Sequence, residues 1–464
     1  MNLMRFFLLA ALLSVPGRPA AAQTASPVPN TLAIPGSPPP RVLPRRDSII
    51  LIVCRGLGYG DLSCYGQTNW QTPNLDRLAA EGIRFTSYYA GSGEGSSARA
   101  VLLTGQRFIQ PPATPDADLP LTAGEITVAQ RLRESGYHTG YIGEWGLGEA
   151  PWEKGFDEFA GCLHTAEGRD YYPPSLRRFS AGLIHDRTNH VQRDFNSQTE
   201  LHPNLAGQKG EFLPELQATM AVNFLRNNQP DQFNRFKPFF LVVAFSLPRS
   251  ASASADDYPV PTDAPFSGEA WPAAAKNRAA LINSLDTGIG RLLEKLAKPA
   301  LSNTVAVFFT SDAGPEAFHS PAMNFLRPTG PFRGHRGELT EGALRVPMMV
   351  RWPGHIPAGQ VSDLPWAAWD FAPTALDLAL LPTPAEVNGA SVLPALAGQT
   401  MTNFDDVLEW TLPGAEPVWA ARLGRWKVMQ TGTNAPETFD LTVDPQERTN
   451  TANAEIIAQL VPPH

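Results

Sequence analysis

Ser48-Ile49-Ile50-Leu51-Ile52-Val53 is apolar at every position after the serine and rich in β-branched side chains. An alternating pattern would leave one face to water. A continuous run reads as a strand buried on both faces of a parallel sheet. Similar runs stand at Phe239 to Phe245, Val305 to Phe309 and Val346 to Val350. Helical patterns lie between them. Pro73 to Glu81 follows Thr72 as a cap and stops at Gly82. Thr127 to Ser135 carries Val128 and Leu132 and stops at Gly136-Tyr137. Ala279 to Leu296 places Leu281, Leu285, Ile289, Leu292, Leu293 and Leu296 at spacings of three and four. Strands alternating with helices predict an α/β sandwich around a mostly parallel sheet.

Toward the C-terminus the pattern changes. Trp419 to Gln430, with Gly424 at the turn, reads as a β-hairpin. Phe439-Asp440-Leu441, a turn at Asp444-Pro445 and a short helix near Ala454 to Leu460 follow. We therefore expect a main domain over 47–400 and a small antiparallel subdomain over 401–464. Residues 23–46 are proline-rich, with Pro38-Pro39-Pro40 at the centre, and read as a linker. Residues 1–22 read as a signal peptide: Arg5, the apolar run Phe6 to Val15, and the small-residue site Ala20-Ala21-Ala22. Export to a periplasmic or extracellular space is the expectation. No cysteine follows that site to take a lipid, and no later stretch is apolar enough to span a membrane.

The 464 residues carry 43% hydrophobic and 18% charged residues and a net charge of -8, a soluble globular composition. An acidic balance argues against nucleic acid as a partner. Cys54, Cys64 and Cys162 are too few for a disulfide framework; one bridge or three buried thiols both remain open. His185 and His190 are isolated, and Gly56 to Gly60 lacks the spacing of a dinucleotide loop.

The stretch Ser96-Ser97-Ala98-Arg99-Ala100-Val101-Leu102-Leu103-Thr104-Gly105 resembles the signature of the sulfatase family, Cys-x-Pro-x-Arg followed by a small-small-Leu-Leu-Thr-Gly helix. Leu57-Gly58-Tyr59-Gly60-Asp61, Thr72-Pro73-Asn74-Leu75-Asp76-Arg77-Leu78-Ala79 and Gly155-Phe156-Asp157-Glu158-Phe159 match further family segments. So do Arg345-Val346-Pro347, Arg351-Trp352-Pro353-Gly354 and Gly424-Arg425-Trp426-Lys427. The resemblance implies an alkaline-phosphatase-like sandwich: a large mixed, mostly parallel sheet flanked by helices, plus the small C-terminal subdomain. It also implies sulfate-ester hydrolysis by a formylglycine made from the signature cysteine (sometimes a serine), with calcium bound by oxygen ligands.

The positions that resemblance makes catalytic are changed here. The nucleophile position is Gly95, with Arg99 retained. The first aspartate pair is Arg55-Gly56, and the Asp-Asn pair is Asp312-Ala313. The Lys-Trp-His segment is Glu144-Trp145-Gly146, Pro-His is Pro248-Arg249, and the last lysine is Arg336. No metal and no formylglycine are expected, Asp312 being the residual ligand position. We expect Arg55 to take the cation's place and pair with Asp312, and Glu144 to pair with Arg99, Arg249 or Arg336. Three arginines against one glutamate would leave a positive pocket able to bind a sulfated carbohydrate or other small anion. Two functions stand: a pseudosulfatase that binds without turnover, or a hydrolase, either a sulfuric ester hydrolase or an esterase, with a rebuilt site. The second would draw on Ser96 or Ser97 with His319, His335 and Asp312, which the resemblance places nearby. Oligomeric state has no signal in the sequence.

Overall fold

The computed structural model describes residues 46–112, 117–186, 191–229, 237–399, 401 and 407–461. The expected signal peptide, and the expected linker up to residue 45, lie outside the described residues, as do His190 and the side chain of His185.

The main body contains β1 (Ser48–Cys54), β2 (Ile83–Phe85), β3 (Tyr88–Tyr89), β4 (His138–Glu144), β5 (Glu158–Cys162) and β6 (Leu176–Asp186). It continues with β7 (Val191–Leu201), β8 (Phe239–Phe245), β9 (Val305–Ser311), β10 (Met348–Arg351), β11 (Gln360–Ser362) and β12 (Trp366–Ala367). One 10-stranded sheet has the order β11-β2-β10-β9-β1-β8-β4-β5-β6-β7, and β3 pairs with β12. Its centre, β9-β1-β8-β4-β5, is parallel. The run expected as a strand at Val346 to Val350 begins at Met348 and runs antiparallel to β9. An apolar run encodes burial on both faces, not direction.

Along β1, Ile49, Leu51 and Val53 enter one apolar cluster and Ile50, Ile52 and Cys54 the other, the period of two that a doubly covered strand requires. Helices α1 (Pro73–Ala80), α2 (Gly95–Thr104), α3 (Val128–Glu134), α4 (Leu213–Asn228), α5 (Ala273–Leu296), α6 (Glu341–Leu344) and α7 (Phe371–Leu378) follow in chain order. Apolar side chains of α1, α4 and α5 cover one face, and those of α2, α3 and α7 the other. None of the described helices is long and apolar enough to cross a membrane.

Helix α5 starts at Ala273, ahead of the expected Ala279. Its alanine-rich first turn favours helix without burying a full stripe. Thr72 does not cap α1 with its side chain; its Oγ1 accepts instead from the Ser63 amide at 3.0 Å. The free amides of Asn74 and Leu75 donate to Asp286 of α5 at 3.0 and 2.8 Å, a cap supplied from outside the helix.

A four-stranded antiparallel sheet, β13 (Leu408–Leu412), β14 (Val418–Leu423), β15 (Trp426–Thr431) and β16 (Glu437–Asp440), closes the chain with a helix at Ala454–Leu460. The expected hairpin is β14–β15, pairing Leu423 with Trp426 across Gly424-Arg425. A buried charge cluster ties this sheet to the main body. Lys427 Nζ, fully buried, lies 3.1 Å from Glu341 Oε1 and 2.7 Å from Glu447 Oε1. Tyr89 donates its hydroxyl to Glu341 Oε2 at 2.8 Å, and Arg345 Nη1 lies 3.3 Å from the same oxygen. Burial alone would raise the Glu341 carboxyl; Lys427, Arg345 and Arg422 hold it well below the usual range. For Glu447, burial wins and the carboxyl is raised. Removing one partner of a buried pair costs about 3–5 kcal/mol. The Lys427→Met variant, measured by urea unfolding, should lose stability of that order, whereas Lys295→Met on the flank should lose under about 1 kcal/mol.

Candidate functional site

In an open α/β sheet the carboxyl ends of parallel strands form the natural crevice. Here β1 runs into Arg55, β4 ends in Glu144, β8 leads to Arg249, and β9 runs into Asp312 and Ala313. Helix α2 opens at Gly95 and carries Arg99 one turn later. The structure brings all these sequence-selected residues together. The five charged ones are 2 to 4% exposed, so each charge needs a partner inside the protein.

Glu144 is the hub. Its Oε1 accepts from Arg55 Nη1, its Oε2 lies 3.1 Å from Arg249 Nη2, and Arg99 Nη2 stands 3.8 Å from Oε1. Asp312 Oδ2 accepts from Arg99 Nη1 at 2.8 Å, and its Oδ1 from the Gly56 amide at 3.0 Å. The expected Arg55–Asp312 pair is therefore not formed. The turn at Gly56, with φ of 66°, gives Asp312 a backbone N–H while Arg55 reaches across to β4. Arg336 pairs with Glu316 at 3.4 Å and Glu94 at 3.8 Å, not with Glu144.

The expected positive pocket is also corrected. Among the described residues four carboxylates, not one, meet Arg55, Arg99, Arg249 and Arg336: Glu144 is shared by the first three, Asp312 takes Arg99, and Glu94 and Glu316 take Arg336. The carboxylates of Glu94 and Glu316 carried no motif signal in the sequence. Neither did the Asp118–His164 pair at the rim, where His164 Nδ1 lies 2.6 Å from Asp118 Oδ2 and the Thr165 amide donates to Oδ1 at 2.8 Å. Burial would raise the Asp118 carboxyl, but the Thr165 amide and His164 together hold it below its usual value.

Space is as restrictive as charge. A Cβ on Gly95 would lie 2.7 Å from Asp312 Oδ2 and 3.1 Å from Arg336 Nη2, so the carboxylate fills the room a nucleophile side chain needs. Gly146 has φ of 63°, and a Cβ there would lie 2.3 Å from Thr165 Oγ1 and 2.9 Å from Arg99 Nη2. The cavity lined by Arg55, Arg99, Glu144 and Asp312 measures about 10 Å³, at the lower limit for one water, roughly 10–15 Å³.

Calcium takes six to eight oxygens, several from carboxylates. The residues at its implied position offer Asp312 alone, already held by Arg99 and the Gly56 amide, with Arg55, Gly56 and Ala313 supplying no carboxylate. That donor set does not fit the ion.

The serines offer little in exchange. Ser96 donates to the Ala117 carbonyl at 2.9 Å, and Ser97 is fully buried. His335 pairs with Glu338 at 3.1 Å, and the His319 amide donates to Asp256. Among the described residues no histidine bonds either serine. Cys54, Cys64 and Cys162 are free thiols. Burial pushes the Cys54 thiol well up, with Asp312 and Asp61 adding to it, which keeps it protonated.

The sulfatase family model matches residues 47–381, and that of the N-sulphoglucosamine sulphohydrolase C-terminal region matches 336–462. N-acetylgalactosamine-6-sulfatase of Canis lupus familiaris is 29% identical over 425 residues, covering 86% of this chain and 75% of the relative. Arylsulfatase A of Homo sapiens is 30% identical over 426 residues, covering 86% and 78%. The solved structure of Ps i-CgsB in complex with k-i-k-neocarrahexaose superposes with a TM-score of 0.70 at 23% identity, covering 89% of this chain and 90% of that one. The sandwich is the alkaline-phosphatase-like fold of these proteins. With the family model spanning most of the main body and the relatives most of the chain, this protein belongs to the sulfatase family.

Proposed function

We propose that this chain is a non-catalytic sulfatase, a pseudosulfatase exported by its N-terminal leader, in which internal ion pairs occupy the place of the reaction centre. The observation that carries the reading is Asp312 Oδ2, bonded to Arg99 at 2.8 Å and crowding Gly95. Sulfate-ester cleavage needs a nucleophile and fixed positive charge on the sulfuryl oxygens. Gly95 supplies no nucleophile, and the guanidinium groups already face carboxylates. No calcium is expected to bind. The carbohydrate bound by Ps i-CgsB and the substrates named in the relatives' own names support a sulfated carbohydrate as the ligand class. Arg99, Arg249, Arg336 and Glu144 are the anion-binding candidates, and an incoming anion has to displace Glu144 from Arg249, Asp312 from Arg99, and Glu94 and Glu316 from Arg336.

Metal analysis of the purified protein together with a chromogenic aryl-sulfate assay tests the reading. No stoichiometric calcium and no turnover are expected, and calcium with turnover overturns it. Gly95→Cys should remain inactive under conditions that convert active-site cysteines. In calorimetry, a sulfated disaccharide should bind more weakly as salt rises; binding indifferent to salt would remove the arginines from the argument. Glu144→Gln leaves Arg55 and Arg249 without that carboxylate, so urea unfolding should show a loss of about 3–5 kcal/mol, while a chelator should leave the melting temperature unchanged.

A further inference from the structure

Away from the strand ends, a second cleft opens between α4, α5 and the loop carrying Val260 to Ala264. It measures about 180 Å³, against about 10 Å³ for the cavity at Arg55 and Glu144. Its floor is apolar, from Phe212, Ala218 and Val260, and its walls carry Glu215, Asn283 and Arg291. The two cavities differ in more than size. At the strand ends the carboxylates are bound by arginines. In the cleft, neither the Glu215 carboxylate nor the Asn283 amide makes a side-chain hydrogen bond or ion pair within the described structure. Arg291 donates through Nη2 to Thr219 Oγ1 at 2.9 Å, and its guanidinium carries further N–H donors.

These groups describe their ligand. One carboxylate and one guanidinium cancel, so the walls favour no net charge. An amide, a carboxylate and a guanidinium together present both donors and acceptors, over an apolar floor. The matching molecule is small and uncharged, with hydroxyls on its edge and C–H groups on its face. We propose that this cleft binds a neutral polyol of the size of one sugar ring, independently of the charged site at Gly95. Asn283 exchanges hydrogen bonds with adjacent hydroxyls, Glu215 accepts from one of them, Arg291 donates, and the ring's C–H face rests on Val260 and Ala218. Cleft and strand-end site have no lining residue in common.

Saturation-transfer NMR on the full chain with glucose, galactose, N-acetylglucosamine and myo-inositol tests this. At least one should give a saturable signal at millimolar concentration. Thr287→Trp, on the exposed side of α5 and in the cleft wall, should abolish it. Asn283→Ala should weaken it by about tenfold, the worth of one well-placed hydrogen bond or two. Melting temperatures confirm that both variants fold; if Thr287→Trp does not, Asn283→Ala alone decides. No saturable signal in the unmodified protein, or a signal that survives the folded variants, overturns the proposal. A signal lost in Glu144→Gln but kept in Thr287→Trp would move the ligand to the strand-end site and also overturn it.

Discussion

A charge withdrawn from water must meet an opposite charge at close range, and the crevice of this protein is organised by that demand. Four strand ends and one helix deliver ionised groups to the same buried space. The sheet leaves them little choice: β1, β4, β8 and β9 are fixed side by side by register, so Arg55, Glu144, Arg249 and Asp312 must converge. Glu144 bridging Arg55 and Arg249, and Asp312 bridging Arg99 and the Gly56 amide, make that convergence tolerable. In related enzymes a cation is expected to play the neutralising part; here protein guanidinium groups do so. Buried ion pairs are weak evidence of net stability, and their role in this chain is to allow a charged crevice to close.

Other retained residues of the resemblance have structural reasons to persist. Asp61 in the first loop receives Arg278 of α5 through two parallel bonds, at 2.6 and 2.7 Å, and accepts the Gly58 amide at 2.8 Å. Asp76 receives the Ser63 hydroxyl and the Cys64 amide. These carboxylates hold the loop after β1 against α1 and α5. They hold the frame around the crevice in shape.

Long apolar runs and helical spacings made β1, β8 and β9, α1, α3, α5 and the C-terminal hairpin readable from the sequence. Strand β4 was not readable, because Thr139, Gly140 and Gly143 interrupt its apolar run; Gly140 lies beneath the Phe224 ring, where a Cβ would meet it at 2.4 Å. Strands β6 and β7 form an edge, where no continuous apolar run marks the element. In the crevice, the sequence correctly selected the residues that meet but misassigned one pair. Position in a motif says which side chains share a space. It does not say whether Arg55 or Arg99 reaches Asp312, which depends on backbone turns such as that at Gly56. The carboxylates that meet Arg336 were equally illegible, since Glu94 and Glu316 come from segments with no motif of their own.

The Lys427 cluster gives the order of synthesis a physical meaning. Glu341 leaves the ribosome together with Arg345 but well before Lys427, which stands 86 residues later in the chain. Until β15 arrives, the main body carries a carboxylate destined for a fully buried position with no lysine to meet it. The last sheet is thus less an appendage than a closing stroke. A nascent chain cannot reach its final packing by maturing from the front alone, and a polypeptide cut short before β15 would hold Glu341 with Arg345 and Tyr89 but without its lysine.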